Sequence, residues 1–188
     1  MEILVATHNE HKKAEIQQIL PDYRITSLSD YQLFDEIIEN GQTFQENAKI
    51  KAQYCFQKTG KPSLGDDSGL VVPALGGRPG IYSARYAGDH DFKANIKKVL
   101  EEMQGNAERS AYFITVLCLI SEDQERYFEG RVYGKLAHEV SGEKGFGYDP
   151  IFIPEHHNLT FAEMKTTEKN KISHRAHALR QFLEYLKA

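Results

Sequence analysis

The chain has 188 residues, of which 40% are apolar and 27% charged, and a formal net charge of −4. These are the numbers of one ordinary folded domain, able to bury about 70% of its unfolded surface, and they exclude a disordered chain. The acidic balance argues against general adhesion to nucleic acid or an acidic membrane, and no apolar run reaches the ~20 residues of a membrane span.

Ile3 to Ala6 is wholly apolar, the pattern of a strand covered on both faces. Because the chain opens directly on MEILVA, no leader peptide is expected. The polar loop Thr7-His8-Asn9-Glu10-His11-Lys12-Lys13 runs into a helix with Ala14, Ile16, Ile19 and Leu20 on one side and Pro21 beyond its end. Strand, polar loop and helix together aim backbone N–H groups at an anion. Thr7 and Asn9 either cap that helix or bond a phosphate, and Lys12 is one turn in; the glycines of a Walker A loop are missing.

Tyr23 to Leu28 is predicted as a second strand. After the acidic stretch 35–40 and Gly41, the spacing predicts a helix from Phe44 to Lys58, with Phe44, Ala48, Ala52, Cys55 and Phe56 on one face. Thr43 and Glu46 match the capping box, which gives Glu46 a structural task. Glu39 has no such local task and can supply a metal ligand from the loop. Cys55, like Cys118, lies in an apolar pattern and reads as a buried thiol of a reducing, cytoplasmic compartment.

The stretch Leu64 to Tyr86 organises the rest. An apolar approach ends in Asp66 and Asp67; Ser68, Gly69, a second apolar run and a glycine-rich loop at 76–80 follow. Two adjacent carboxylates need partners when they leave water, and a magnesium ion with its taste for hard oxygen ligands is one. A polar turn of Asp, Ser and Gly is the other reading. Asp91 reads as the cap of a third helix carrying Phe92, Ile96, Val99, Leu100 and Met103. Ala111 to Ile120 reads as a central strand with Arg126 to Leu136 as its hairpin partner, so an α/β fold with a mixed sheet is expected.

Gly142 to Pro154 places Phe146 between glycines, with Tyr148 and Asp149 before a proline. A ring so placed can stack on a flat base, worth about 1–3 kcal/mol, or plug a loop. In the closing segment Lys169, Lys171, His174 and Arg175 form the densest positive cluster. It is either a solvated helix end or, with Ser173 as a cap, a set of donors facing a ligand. Ile172, Ala176, Leu179, Leu183 and Leu186 form the apolar stripe of the last helix.

Six motifs in order carry a family resemblance. They are Thr7-x-Asn9-x-x-Lys12, Glu39-x-Gly41-x-Thr43-Phe44-x-Glu46-Asn47-Ala48, Asp66-Asp67-Ser68-Gly69-Leu70, Leu75-Gly76-Gly77-x-Pro79-Gly80, Phe146-Gly147-Tyr148-Asp149-Pro150, and Lys169 with Ser173-His174-Arg175. With these, the whole chain resembles the inosine triphosphate pyrophosphatase family, the Ham1-like pyrophosphatases of non-canonical purine nucleoside triphosphates. The resemblance implies a single domain over 1–188, two-lobed, with a long mixed β-sheet flanked by helices and a cleft between the lobes. It also implies a homodimer that uses Mg2+ to hydrolyse ITP, dITP or XTP to the monophosphate and pyrophosphate.

Carried over residue by residue, the resemblance gives Asp67 the role of general base and makes Glu39 and Asp67 the metal ligands. Substrate contacts fall to Thr7, His8, Asn9, Glu10, His11 and Lys12 at the phosphates, with Ser68 alongside. Phe146, Gly147, Tyr148, Asp149, Lys169, His174 and Arg175 complete the nucleotide site. His8 departs from the glycine often found in the family, and Lys171 adds a charge that the motif does not need. Two other readings remain: a Maf-type pyrophosphatase acting on pyrimidine or modified nucleotides, and a nucleotide-binding sensor without turnover. A serine hydrolase on Ser68 lacks the nucleophile elbow, and Asp66-Asp67 lacks the Asp-x-Asp spacing of haloacid-type phosphatases.

Overall fold

The structure, a computed structural model, describes residues 2–187. The first strand, β1 (Glu2–Ala6), is followed by α1 (Glu10–Ile19), β2 (Arg24–Ser27) and α2 (Phe44–Thr59). Then come β3 (Ser63–Val71), α3 (Phe92–Glu102), β4 (Ser110–Ile120), β5 (Glu125–Leu136), β6 (Phe152–Pro154), α4 (Thr166–Ile172) and α5 (His174–Lys187), with short 3-10 turns between several of them. The sheet order is β2-β1-β3-β4-β5-β6. β2 and β3 both run parallel to β1, and β6 runs antiparallel to β5, so the sheet is mixed as expected.

The chain divides into two compact units. The first comprises Met1–Asp67, Thr115–Gly130 and Arg175–Ala188; the second comprises Ser68–Ile114 and Arg131–His174. In the first unit Ile3, Val5, Ile16, Leu20, Leu64, Leu117, Leu179 and Phe182 close one core, and Leu4, Ala6, Leu28 and Cys55 close another. The second unit has a core of its own around Leu70, Val99, Met103, Phe113, Tyr148, Phe152 and Phe161.

Two local features bear on the sequence reading, one deciding between its alternatives and one departing from it. Leu64 to Val71 is one uninterrupted strand that carries Asp66 and Asp67 through its middle, so the polar turn is not formed. Gly65 lets this strand lie against α2: a Cβ there would stand 2.0 Å from the Ala48 carbonyl oxygen. The last helix is also broken. Ser173, with extended ψ of 157°, ends α4, and α5 begins at His174. Ile172 accordingly packs against the core of the second unit, whereas Leu179 and Leu183 belong to that of the first.

Candidate active site

The predicted residues fall into two groups, one in each unit. In the first unit the loop after β1 is tied by its own side chains. Thr7 Oγ1 accepts the Asn9 N–H at 3.0 Å, and Asn9 Oδ1 accepts the N–H groups of His11 and Lys12 at 3.0 and 3.2 Å. Asn9 is therefore the N-cap that its chemistry favours, and Thr7 ties down the N–H of that cap residue. His8 is exposed, its ring 3.2 Å from the Asp35 carbonyl oxygen, and Glu10 and His11 are exposed on the first turn of α1. Lys12 reaches β3, donating to Asp66 Oδ1 at 2.6 Å and to the Asp66 carbonyl at 3.2 Å. Two of its three ammonium hydrogens are so used, and one remains for a ligand.

Asp66 is only 1% exposed and is held by two cations. Besides Lys12, Arg175 donates from Nε to Asp66 Oδ2 at 2.8 Å, while its Nη1 pairs with Glu15. Burial alone would raise the Asp66 pKa, but Arg175 and Lys12 overcome it and hold the carboxyl well below its usual range. Burial pulls Lys12 below its ordinary value, with Asp66 compensating in part. Burial also works against the Arg175 charge, yet Asp66 and Glu15 outweigh it and raise its pKa. Arg175, read from the sequence as a donor to ligand, thus has its guanidinium buried between two carboxylates.

Asp67, the next residue on the strand, has the opposite environment. Lys51 Nζ stands 3.0 Å from Asp67 Oδ1 and 2.9 Å from Glu39 Oε2, so two acids share one ammonium. Asp67 Oδ2 is buried without a hydrogen-bond partner. Burial raises the Asp67 pKa; Lys51 opposes the rise without cancelling it, and Glu39 adds to it. Burial disfavours the Lys51 charge, but Asp67 and Glu39 more than restore it and leave its pKa raised. The sequence reading passed over Lys51. Its signal was a lysine lying in the buried stripe of α2 with Ala48 and Ala52 on either side.

Among the described residues no group of three or more His, Cys, Asp or Glu side chains is arranged to hold a metal ion. Glu39 and Asp67 do meet at a single cation, with a further carboxylate oxygen unmatched beside it. That donor set fits magnesium, which is commonly held by one or two carboxylates and completed by phosphate and water oxygens. Asp66 is committed to its two cations. Glu46 serves the helix: Thr43 Oγ1 accepts its N–H, and its Oε2 accepts the Gln42 N–H at 2.6 Å, so the expected capping box is displaced by one residue.

In the second unit Phe146 is half-buried between Gly145 and Gly147, both at positive φ. Gly145 has a steric reason besides, since a Cβ there would stand 2.0 Å from Asp149 Oδ2. That oxygen accepts the Phe146 N–H at 3.0 Å and the Lys169 ammonium at 2.6 Å. Lys169 is buried, 5.3 Å from the centre of the Phe146 ring. His174 is stacked on Phe113, with ring centres 4.7 Å apart, and Ser68 is half-buried on β3. Tyr148 is turned inward, its hydroxyl donating to the Ser83 carbonyl, so it braces the loop. Phe92 and Phe146 line a groove of about 1170 Å3 in this unit, along with Ile96, Met103, Lys93 and Lys144.

Comparison with known proteins gives one answer. The profile of the Ham1 family matches residues 3–185. The chain is 46% identical to a dITP/XTP pyrophosphatase of Christiangramia forsetii over 99% of each chain, and 46% identical to that of Bacillus subtilis over 100% of this chain and 98% of the other. Among solved structures, the Ham1 protein of Staphylococcus aureus superposes with a TM-score of 0.89 at 38% identity, covering 100% of this chain and 98% of its own. A HAM1 protein from Coxiella burnetii matches with the same TM-score at 40% identity and the same coverage.

Proposed function

This chain belongs to the Ham1 family, and from that premise we propose that it is a Mg2+-dependent pyrophosphatase of non-canonical purine nucleoside triphosphates, acting on ITP, dITP and XTP. The products are the monophosphate and pyrophosphate. The observation that carries the chemistry is the pair Glu39 and Asp67 gathered on one cation, with Asp67 Oδ2 left unmatched.

Hydrolysis at the α-phosphorus needs a base for water, charge neutralisation on the phosphate oxygens and a cation for the departing pyrophosphate. Asp67 is the base: Lys51 fixes one of its oxygens, and burial raises its proton affinity toward that of a working general base. Magnesium held by Glu39 and Asp67 would supply neutralisation of the phosphate charge. Lys12, anchored by Asp66, offers its remaining hydrogen to the phosphates, beside Thr7, His8, Asn9, Glu10 and His11. Ser68 is a further substrate contact.

Phe146 takes the base on its ring face, and Gly147, Asp149, Lys169 and His174 complete its surroundings. Inosine and xanthosine carry an acceptor oxygen at the six-position where adenine carries a donor. A donor meeting that oxygen is left unpaired by adenine, a mismatch that can discriminate by about 10⁴ when buried. With Arg175 committed to Asp66 and Glu15, that donor is Lys169 or a backbone N–H of the 146–149 loop, and Arg175 serves the nucleotide through the acids it holds. Homodimeric assembly and a cytoplasmic location belong to the same proposal; no helix among the described residues is long and apolar enough to cross a membrane.

An assay of the purified protein with Mg2+ over a nucleotide panel tests this reading. ITP, dITP and XTP should turn over far faster than ATP, with pyrophosphate as the first product. Orthophosphate appearing first, or nucleotide binding without turnover at excess Mg2+, would contradict it.

A further inference from the structure

Asn47 belongs to one of the six sequence motifs, yet none of the roles above uses it. It is fully buried in the first turn of α2, one turn before Lys51 on the same buried stripe. Its Oδ1 accepts the Gly41 N–H at 2.9 Å. A backbone N–H can only donate, so this bond fixes which end of the amide is oxygen. The other end, Nδ2, is a buried donor without a partner.

Asp67 Oδ2 is a buried acceptor in the same condition, and each residue neighbours Lys51, Asn47 along the helix and Asp67 through the ammonium. Gly65 lies against Ala48 and Ala52, and residues two apart on a strand face the same side. Asp67 therefore faces α2 as well, where Lys51 Nζ meets it at 3.0 Å. An orphaned donor and an orphaned acceptor thus flank Lys51.

We propose that Asn47 is a further catalytic residue, whose Nδ2 donates to the attacking water while that water donates to Asp67 Oδ2. A single water can satisfy both atoms, accepting from the amide and donating to the carboxylate, whereas a phosphate oxygen has no hydrogen to give; the second lone pair of Oδ2 stays available to a metal ion. In the step, the water oxygen bonds to the α-phosphorus and its proton passes to Asp67 Oδ2. The bond from the α-phosphorus to the bridging oxygen breaks, and its electron pair leaves on pyrophosphate. The amide does not change its protonation; it holds a lone pair of the water away from Asp67 and so directs the other at phosphorus.

The inference rests on the pyrophosphatase reading, and Asn47→Asp separates the two. Aspartate keeps an acceptor for Gly41 and loses the donor. XTP turnover should be read on the alkaline plateau of the pH profile, where a mere rise in the proton affinity of Asp67 has no effect. There kcat should fall about 100-fold, as when one aimed donor is removed, with KM within about threefold of wild type. Asn47→Ala should show the same kcat loss with a lower melting temperature, since Gly41 also loses its acceptor. Wild-type kcat in Asn47→Asp overturns the inference. So does a loss matched by weaker binding of a non-hydrolysable XTP analogue, which would make Asn47 a substrate or loop contact. Failure of the wild-type enzyme itself to release pyrophosphate would instead bring down the functional reading.

Discussion

Asp66 and Asp67 are neighbours on one strand, both buried, yet their surroundings give them opposite characters. Asp66 meets two cations, Lys12 and Arg175, and its pKa falls; Asp67 shares one cation, Lys51, with Glu39, and its pKa rises. Burial presses both carboxyls toward the neutral form, and the cations bonded to each decide the outcome. At Asp66 the directly bonded Arg175 and Lys12 overcome it, so the carboxylate is locked in its ionised form and becomes architecture. At Asp67 the one bonded cation, Lys51, is shared with Glu39 and, even with the field of Lys12, does not cancel it; one oxygen is left over and proton affinity is available for chemistry.

The sharpest way to break that contrast is to neutralise each acid's cluster in turn. Asp67→Asn should cut turnover by about 10²–10⁴-fold, the range of a lost general base, with nucleotide binding largely retained. Because the ionised form of Asp67 is disfavoured in the folded protein, the melting temperature at neutral pH should not fall. Turnover equal to wild type would remove Asp67 from its role. Arg175→Met should act on the other cluster: it strands Asp66 and Glu15 without their shared partner, and a denaturant titration should show a loss of about 3–5 kcal/mol. A change within about 0.5 kcal/mol would show that the guanidinium is not the anchor described. Phe146→Ala lies outside both clusters and should raise KM for XTP about tenfold or more, from a stacking worth about 1–3 kcal/mol, with little change in kcat.

The smallest effect is in the pH profiles. The acid limb of kcat/KM, which reports the free enzyme, should lie above the ordinary carboxylate range, because Asp67 as the proposed base must lose its proton to act and burial raises its pKa. Asp66 has the reverse sign. Its stabilisation is present above the unfolded carboxylate pKa and is lost only as pH falls through its depressed folded value. An acid limb below the ordinary carboxylate range would contradict the assignment of Asp67.

Much of the fold was legible because it is written in local patterns. The apolar run at Ile3, the stripe of α2 and the run from Ala111 each gave an element within a residue or two of the one observed. The strand through Asp66 and Asp67 was ambiguous for a physical reason. Its acids are buried only because partners arrive from 16, 54 and 109 positions away, and pairings at that range leave no local signature. Lys51 was overlooked because a single lysine in a helix usually reaches water. The continuous stripe drawn over the last helix failed because Ser173 turns the chain between two packing environments. Arg175 was read as exposed to ligand because its two acids, Glu15 and Asp66, lie far away in sequence.

The most direct test of the central claim follows the oxygen of the attacking water. Hydrolysis of XTP in water enriched in oxygen-18 should place the label in the monophosphate and leave pyrophosphate unlabelled. Label in pyrophosphate or orthophosphate would mean attack at another phosphorus and would contradict the account of Asp67 given above.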